Sequence, residues 1–401
     1  MSTRRVAVVG AGMAAARFAQ QLLARTPAGA MRVTLYGAEA QAPYNRTLLT
    51  GVLTGDHDAE AIGLPYGDAQ LRTGTEVIAL DPGAGTLRLA DGSTERYDTL
   101  VLATGAAPVR PPLDGTPPAA GVHTLRTLAD CRRLAEDAAR ATRAVVIGGG
   151  VLGVSLAQAL AAKGTHTQLV HGADWLMERH LDPDSARVLH HHLRGLGVLT
   201  RLGARPAALH GTGRVTAVQL ADGQRLETDL VVLACGVRPR TGLARAAGLA
   251  VRHGIVVDDR LATSAPNVHA IGDCAEHRGT VHGLAMPAWE QADALAARLS
   301  GTGPPAGCTG APGVLRLTTA DLHLAAFGDP AADPAADHDV LHFADPTRGT
   351  CKRLVLGADR LRGGVLLGDV TAAADLIHLW RRQEPLSADP LHLLMPQGAS
   401  A

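Results

Sequence analysis

Aromatic residues, lysine and long apolar runs are scarce in this sequence. Aromatics make up 2% of the 401 residues, so small aliphatic side chains must build the cores. Lysine occurs only at positions 163 and 352, yet Lys plus Arg (38) balances Asp plus Glu (38). The zero net charge gives no overall attraction to nucleic acid or anionic membranes. Because no run of about 18 apolar residues appears, no membrane span is predicted.

The cysteines exclude two common kinds of site. They lie at positions 131, 235, 274, 308 and 351, and no two are close in sequence. Without a C-x-x-C pair or zinc-type spacing, neither a disulfide framework nor a metal site is expected. The histidine run 190–192 does not change this, because adjacent residues on a helix diverge by about 100° and cannot share one face. We expect buried, unreactive thiols.

The remaining composition is that of a globular chain with several domains. Hydrophobic residues make up 46%, charged residues 19%, and the mean hydropathy is +0.08, which provides ample material for buried cores. The apolar run that follows Arg4 and Arg5 is interrupted by glycine at once and has no cleavage pattern. We therefore expect a cytoplasmic protein.

A strand–turn–helix pattern occurs twice. Residues 5–15 read as a hydrophobic strand, a G-x-G-x-x-A turn and the start of an Ala-rich helix, and residues 144–153 repeat the pattern with G-x-G-x-x-G. The two turns begin at Gly10 and Gly148, an offset of 138 residues. Each turn follows a strand and opens a helix, which is the context that a dinucleotide-binding fingerprint requires.

A second pair of segments recurs in the same order. An L-A-D-G turn at 89–92 leads to a strand followed by A-T-G at 103–105, and L-A-D-G at 220–223 leads to a strand followed by A-C-G at 234–236. Their offset is 131 residues. Two motifs that recur at nearly equal offsets indicate two related dinucleotide-binding folds.

The glycines suit phosphate binding for physical reasons. The first permits a tight bend, the second lets the backbone approach a pyrophosphate, and the third small residue lets helix and strand pack closely. The amides at the helix N-terminus then face the anion.

A third landmark, T-S-x-P-x-V-x-A-I-G-D, occupies 263–273. With the two fingerprints and A-T-G in this order, the chain resembles the FAD-dependent pyridine nucleotide-disulfide oxidoreductase superfamily, in its non-disulfide branch. It is most similar to the FAD module of NAD(P)H nitrite reductase large subunits, with rubredoxin and ferredoxin reductases as further relatives. The segments that carry this resemblance are 36–39, 43–49, 175–179, 272–277, 352–355 and 364–369.

The resemblance implies an α/β fold class: two Rossmann-like dinucleotide-binding domains, one inserted in the other, plus a small C-terminal α+β domain. We place the FAD-binding domain at 1–112 and 243–302, the NAD(P)H-binding domain at 113–242, and a C-terminal interface domain at 309–401. The stretch 300–313, rich in Gly, Pro and Ala, is interpreted as a linker.

The resemblance also implies a set of FAD contacts. Glu39 would substitute for the ribose-binding acid, since the usual strand-end position carries Gly37, and Arg46 would reach the phosphates. Val77 would clasp the adenine through its backbone, and Asp273 would accept a hydrogen bond from the ribityl chain. The predicted FAD-binding residues are Gly10, Gly12, Met13, Ala14, Ala15, Glu39, Arg46, Val77, Ala103, Thr104, Gly105, Gly272, Asp273, Ala288 and Trp289.

A second set would hold NAD(P)H. His171 stands where NAD readers usually carry an acid, while Asp174 and Arg179 nearby favour opposite nucleotides. The resemblance favours NADH, and NADPH stays open. The predicted residues are Gly148, Gly150, Val151, Leu152, Gly153, Ser155, His171, Arg179, Cys235 and Gly236.

Two charged residues of the family pattern are absent together. Relatives carry Glu two residues after the third glycine of the second fingerprint, where this chain has Ser155. Ferredoxin-reductase relatives pair that Glu with a Lys, where this chain has Gly51. Joint absence is physically coherent, because one buried charge left alone costs several kcal/mol. We expect a neutral, roomier nicotinamide site, with Ser155 near the nicotinamide.

The resulting prediction is an FAD-dependent NAD(P)H oxidoreductase. Hydride would move from nicotinamide C4 to flavin N5, and no side-chain acid or base is strictly required. Without a cysteine pair, electrons would leave the flavin for a separate redox partner of the nitrite or nitrate reductase, ferredoxin or rubredoxin type.

Two alternatives stay open at this point. One is a flavoenzyme that acts directly on a small molecule, such as a nitrogen compound. The other is a non-catalytic flavin-binding scaffold. No nucleic-acid or membrane partner is expected, and a homodimer is an open alternative to a monomer.

Overall fold

A computed structural model describes residues 3–115, 120–302, 313–329, 338–345, 347–386 and 393–394. Cys308 and most of the stretch interpreted as a linker lie outside these ranges. The chain divides into two compact units. The first comprises Met1–Leu48, His57–Ala107 and Val237–Ala311, and the second comprises Leu49–Asp56, Pro108–Gly236 and Pro312–Ala401.

Helices and strands alternate at the start of each parallel sheet, and runs of consecutive strands separate these regions. The first elements are β1 (Arg4–Val9), α1 (Met13–Ala24), β2 (Met31–Tyr36), α2 (Leu49–Thr54), β3 (Gln70–Arg72), β4 (Val77–Asp81), β5 (Thr86–Leu89), β6 (Thr94–Arg96), β7 (Thr99–Leu102) and β8 (Ala106–Pro108). There follow β9 (Val122–Thr124), α3 (Leu128–Ala138), β10 (Arg143–Ile147), α4 (Val151–Ala162), β11 (His166–Val170), α5 (Pro183–Gly195), β12 (Leu199–Arg201), β13 (Pro206–His210), β14 (Ala217–Leu220), β15 (Arg225–Glu227) and β16 (Leu230–Leu233).

The remaining elements complete the first unit and add a further sheet to the second. They are β17 (Val237–Pro239), α6 (Gly242–Ala246), β18 (Ile255–Val257), β19 (Val268–Ala270), β20 (Ala275–His277), α7 (Ala285–Leu299), β21 (Leu315–Thr318), β22 (His323–Gly328), β23 (His338–Asp345), β24 (Thr350–Gly357), β25 (Arg360–Leu367) and α8 (Ala373–Arg382). Within the described ranges, no helix is both long enough and apolar enough to cross a membrane.

A parallel sheet of order β19-β7-β1-β2-β3 forms the centre of the first unit. Its central strands are apolar on both faces, as expected when both faces of a parallel sheet are covered; Leu100, Val101 and Leu102 of β7 are fully buried. Helices α1 and α7 pack against each other. Arg17 of α1 donates to both carboxylate oxygens of Asp293 of α7, at 2.7 and 2.9 Å, which fixes their alignment.

The second unit contains a sister sheet of order β12-β11-β10-β16-β9, again parallel throughout. Each parallel sheet has a three-stranded antiparallel sheet inserted in sequence before the strand that pairs with the far side of its first motif strand: β4-β5-β6 precede β7, which pairs with β1, and β13-β14-β15 precede β16, which pairs with β10. The offsets between the sequence motifs therefore correspond to two copies of one supersecondary pattern.

The C-terminal part of the second unit is an antiparallel sheet of order β21-β22-β25-β24-β23 with α8 packed on it. Phe327 and Trp380 meet in its core with ring centroids 5.6 Å apart. Helix α8 packs on this sheet because its apolar residues recur at helical spacing and face this core.

A buried lysine anchors the end of this sheet. Lys352 on β24 is 6% exposed at its side chain, and its Nζ lies 2.7 Å from a carboxylate oxygen of Asp369. The Thr371 hydroxyl also donates to Asp369, at 2.6 Å. These two donors lower the pKa of Asp369 to about 2.

We predict that Asp369→Asn lowers the free energy of unfolding by about 2 kcal/mol at neutral pH, because the ammonium group is left buried without its counter-charge. This is less than for a fully buried pair, since the Asp369 side chain is 35% exposed. The depressed pKa means that the contribution is complete above about pH 4 and is lost as pH falls toward about 2.

Calorimetry between neutral and acidic pH checks this prediction. Lys352→Met serves as the matched control, because it removes both the buried charge and the need for a partner, and it should cost less than Asp369→Asn. Equal losses for the two variants, or a loss for Asp369→Asn that persists at pH 2, would contradict the account.

Candidate cofactor sites

The first glycine turn is shaped by a carbonyl group. Gly10 has φ +111°, and its amide donates to the Tyr36 carbonyl at 2.8 Å. A Cβ at position 10 would lie 2.1 Å from the Ala103 carbonyl oxygen. Only glycine fits there, so the turn lies directly against the residues that follow β7.

The start of α1 offers free backbone donors. Gly12 is the N-cap, it has no side chain to cap the helix, and the first turn contains no acid. The amides of Met13, Ala14 and Ala15 therefore face outward at the positive end of the helix dipole. The Arg46 guanidinium is the nearest group above Gly12: a Cβ placed on Gly12 would lie 3.9 Å from Arg46 Nε. A second positive group at this position suits a bound phosphate.

Glu39 and Arg46 form one cluster with Tyr44. The Tyr44 hydroxyl donates to Glu39 at 2.6 Å, Arg46 Nη1 donates to the Tyr44 hydroxyl at 3.0 Å, and Arg46 also pairs with Glu39 directly. The guanidinium carbon lies 4.8 Å from the centroid of the Tyr44 ring. The two residues assigned to ribose and phosphate are thus adjacent. Tyr44 was missed as a site residue, although the P-Y-x-R segment contains it.

The displaced acid has a steric explanation. A Cβ at Gly37, the usual position of the ribose-binding acid, would lie 2.8 Å from the Ala11 Cβ. A longer side chain at 37 would therefore collide with the glycine turn. Glu39 comes two residues later, where the Gly74 amide holds its carbonyl at 2.8 Å.

The G-D segment lies between α1 and α7. A Cβ at Gly272 would meet the Cβ atoms of Ala14 at 3.1 Å and Ala288 at 3.8 Å. The Gly272 amide donates to Gln291 Oε1 at 2.7 Å, and Gln291 is 3% exposed. Gln291 was not predicted; it fixes the backbone that presents Asp273.

The other predicted FAD residues take varied positions in the first unit. The Thr104 hydroxyl donates to the Arg240 carbonyl at 2.7 Å, and Gly105 has φ +68°. Val77 begins β4 and packs against the hydrophobic core, while Trp289 is half-buried in the second turn of α7. Their roles toward a cofactor stay predictions.

The second glycine turn repeats the construction of the first. Gly148 has φ +112°, and a Cβ there would lie 2.3 Å from the Ala234 carbonyl oxygen. At Gly153 a Cβ would lie 1.7 Å from the Gly148 carbonyl oxygen, while the space around Gly150 is open. Gly150 caps α4 without a side chain, and no acid lies in the first turn. Val151 and Leu152 supply the first amides of this helix.

The strand-end histidine is held by two hydrogen bonds. The Gly149 amide donates to His171 Nδ1 at 3.1 Å, and His171 Nε2 lies 3.0 Å from Glu178 Oε2. The imidazole packs so closely under the turn that a Cβ at Gly149 would lie 2.7 Å from it. Glu178 was not predicted as a site residue. Arg179, which was, is exposed.

Ser155 is only 5% exposed, on a helix whose residues 153–160 are all buried. Helix α2, which carries Gly51, packs against α4, so the two positions at which charges are absent belong to neighbouring helices. Cys235 is half-buried after β16, where its thiol donates to the Ile147 carbonyl at 3.4 Å, and Gly236 follows with φ +93°.

Both turns therefore combine open helix amides with a glycine pressed against a strand-end carbonyl, which fits two dinucleotide pyrophosphates. The family model for pyridine nucleotide-disulphide oxidoreductases matches residues 4–292. The chain belongs to this family.

Relatives within the family are reductases. Nitrite reductase [NAD(P)H] of Bacillus subtilis (strain 168) is 32% identical, with 100% of this chain and 50% of that protein covered. The assimilatory nitrate reductase electron transfer subunit of the same organism is 31% identical, with 99% of this chain and 52% of that protein covered. This member thus spans about half the length of the curated relatives that it matches.

A solved structure resembles the whole chain. The covalent putidaredoxin reductase–putidaredoxin complex contains a chain that is 28% identical with a TM-score of 0.87, and 98% of this chain and 96% of that chain are covered. The predicted family and the α/β fold class with two dinucleotide-binding domains are confirmed. FAD and NAD(P)H are the cofactors of this family, as expected from the sequence.

We predict that Gly10→Ala abolishes FAD retention and that Gly153→Ala abolishes nicotinamide-nucleotide binding while FAD stays bound, because each added methyl group collides with a backbone carbonyl. Gly195→Ala is the control, since the space around that helical glycine is open. Flavin content after gel filtration and calorimetric titration with NAD⁺ are the measurements. Full FAD occupancy in Gly10→Ala would contradict the assignment of the first turn.

Proposed function

We propose that this chain is an FAD-dependent NAD(P)H oxidoreductase that passes electrons to a separate redox protein. The observation that carries the proposal is the similarity of the two glycine turns. Each turn precedes a helix whose first amides have no capping side chain, and in each a strand-end carbonyl leaves no space for a Cβ, so that only glycine fits. When bound, FAD would accept an electron pair from the nicotinamide and release it to an acceptor.

The chain's own residues would bind and orient. The α1 amides would bind the pyrophosphate of FAD, and Arg46, which is paired with Glu39, would donate a further hydrogen bond to it. Gly272 and Asp273, held by Gln291, would fix the ribityl chain. The N-terminus of α7 lacks both a capping side chain and an acid in its first turn, so its positive end stays available for the flavin ring. The sister amides of α4 would hold the nucleotide donor.

The cysteine nearest to the G-D segment argues for direct electron exit from the flavin. Cys274 is fully buried, and its thiol donates to the carbonyls of Leu102 at 3.4 Å and Ile271 at 3.3 Å. Burial raises the pKa of this thiol. A thiol of this kind is a poor nucleophile, so we propose that no dithiol relays the electrons.

A protein acceptor is favoured by what the relatives are. One is named an electron transfer subunit of a nitrate reductase, and the structural neighbour was solved as a complex of reductase and redox protein. An acceptor of the nitrite or nitrate reductase, ferredoxin or rubredoxin type therefore stays our proposal. Cytoplasmic location and a homodimer stay predictions.

Anaerobic mixing tests the proposal. We expect NADH or NADPH to bleach the visible absorbance of the FAD-loaded protein. Subsequent addition of an oxidised [2Fe–2S] ferredoxin or a rubredoxin should restore the colour with matching reduction of the acceptor. Gly153→Ala should keep its FAD but not bleach with either nucleotide, whereas Gly195→Ala should behave as the wild type.

Each other result supports a different function. No bleaching by either nucleotide would favour a flavin-binding scaffold. Bleaching that is reversed by nitrite or hydroxylamine, but by neither redox protein, would favour a flavoenzyme that acts directly on a small nitrogen compound.

The packing of α2 on α4 generates a second test. Ser155→Glu alone should destabilise the protein by about 3 kcal/mol, because it places an unpaired carboxylate at a buried position. Gly51→Lys combined with Ser155→Glu should recover part of this loss and lower the KM for NAD(P)H. Thermal unfolding of the two single variants and the double variant measures the coupling. Purely additive losses, with an unchanged KM, would show that these positions do not act together.

A further inference from the structure

The residues around the second glycine turn suggest how the adenosine ribose of the nucleotide would be recognised. In dinucleotide-binding folds, an acid after the second strand of the motif accepts a hydrogen bond from the ribose 2′-hydroxyl of NAD, whereas a nearby arginine accommodates the 2′-phosphate of NADP. Here that strand is β11, and the residue that follows it is His171.

His171 has both ring nitrogens engaged. Because the Gly149 N–H donates to Nδ1, that nitrogen must present a lone pair, and the ring proton must sit on Nε2. Nε2 then donates to Glu178 Oε2, at 3.0 Å. The imidazole is neutral in this arrangement, so the His171–Glu178 pair keeps the full negative charge of the carboxylate.

The pair fixes an acid beside the strand end. The His171 side chain is 11% exposed, whereas the Glu178 side chain is 36% exposed, so the histidine is an internal anchor and the carboxylate still reaches solvent. The Met177 amide donates to the Gly149 carbonyl at 2.9 Å, and this bond holds the loop that carries Glu178 against the turn.

We propose that Glu178, positioned by His171, accepts the hydrogen bond from the ribose 2′-hydroxyl and makes the second turn selective for NADH over NADPH. The inference rests on the proposed role of this turn in binding NAD(P)H. A 2′-phosphate lacks the hydroxyl proton that Glu178 would accept and would bring its own negative charge against the fixed carboxylate, so the two groups repel.

Two arginines near the loop could instead favour NADPH. Arg179 follows Glu178 in sequence. Arg205 lies across Gly172, where a built Cβ would be 3.5 Å from its Cγ and 3.8 Å from its Nε. If either guanidinium captured the 2′-phosphate, selectivity would reverse. Glu178 is favoured because it is bonded to the strand-end residue itself.

Calorimetric titration of the FAD-loaded protein with 5′-AMP and with adenosine 2′,5′-bisphosphate tests the inference without any turnover. We expect the wild type to bind 5′-AMP about tenfold more tightly or better, and Glu178→Gln to reduce this ratio about tenfold, since the amide keeps the shape but removes the charge. Asp174→Asn is the matched control, because it removes an equal charge from an exposed position of the same loop. The sequence alone offers Asp174 as the NADH-selecting acid, so if Glu178 has that role instead, the ratio for Asp174→Asn should stay within about twofold.

Other outcomes overturn the inference. Tighter binding of the bisphosphate by the wild type would show that an arginine binds the 2′-phosphate and that Glu178 does not select NADH. Equal changes of the affinity ratio in Glu178→Gln and Asp174→Asn would show that only the net charge of the loop matters and that Glu178 makes no specific contact. Failure of both probes to bind would remove the nucleotide role of the turn altogether. Failure of the flavin to bleach while the selectivity persists would overturn only the proposed function.

The positioning role of His171 has its own readout. His171→Phe keeps a ring of similar volume but provides neither nitrogen, so it should raise the KM for NADH about tenfold and leave kcat unchanged. An equal fall in kcat would contradict a role confined to the ribose end of the nucleotide.

Discussion

The contact between a strand-end carbonyl and a glycine Cα fixes the geometry of both dinucleotide sites. Ala103 faces Gly10 and Ala234 faces Gly148, and in each case the space for a Cβ is filled by the carbonyl oxygen. The contact sets the direction in which the chain leaves the first strand of the sheet. It thereby sets where the amides of the following helix point. In the sites that we propose, the pyrophosphate would bind to those amides, so binding would depend on the absence of a Cβ at these two glycines.

This constraint also explains how much the sequence could reveal. The positive φ at Gly10 and Gly148 requires glycine at a fixed place between a strand and a helix. This requirement appears in the sequence as the fingerprint, so the fold class and the repeat were predictable. The side-chain contacts that complete each site were not predictable from the sequence. Gln291 reaches the Gly272 amide from the next helix, Tyr44 closes on Glu39, and Glu178 reaches His171. These bonds depend on rotamers and loop paths that no periodicity encodes.

The two turns solve the same problem in parallel ways. In each, the position directly after the second strand of the motif cannot serve as the ribose-binding acid, because Gly37 faces Ala11 and the His171 ring fills the space under Gly149. In each, an acid from the following loop stands near the turn, Glu39 in the first unit and Glu178 in the second. Their partners differ. Glu39 is paired with Arg46, which neutralises its charge beside a phosphate-binding helix end, whereas Glu178 is bonded to a neutral imidazole and keeps its charge. A neutralised acid tolerates a pyrophosphate nearby, and a charged one discriminates against an extra phosphate.

Two enclosed cysteines among the described residues do not suit the dithiol chemistry in the family's name. A reactive cysteine needs a stabilised thiolate and access to a partner. Cys274 has neither, because its thiol is fully enclosed and donates to two backbone carbonyls, an arrangement that favours the protonated form. Cys351 is likewise enclosed, next to Ser185, and its pKa is raised to about 11. Thiols placed in this way fill space and satisfy carbonyl groups. In the function that we propose, a flavin held by glycines and helix ends would carry the electrons and pass them to an acceptor that approaches the ring.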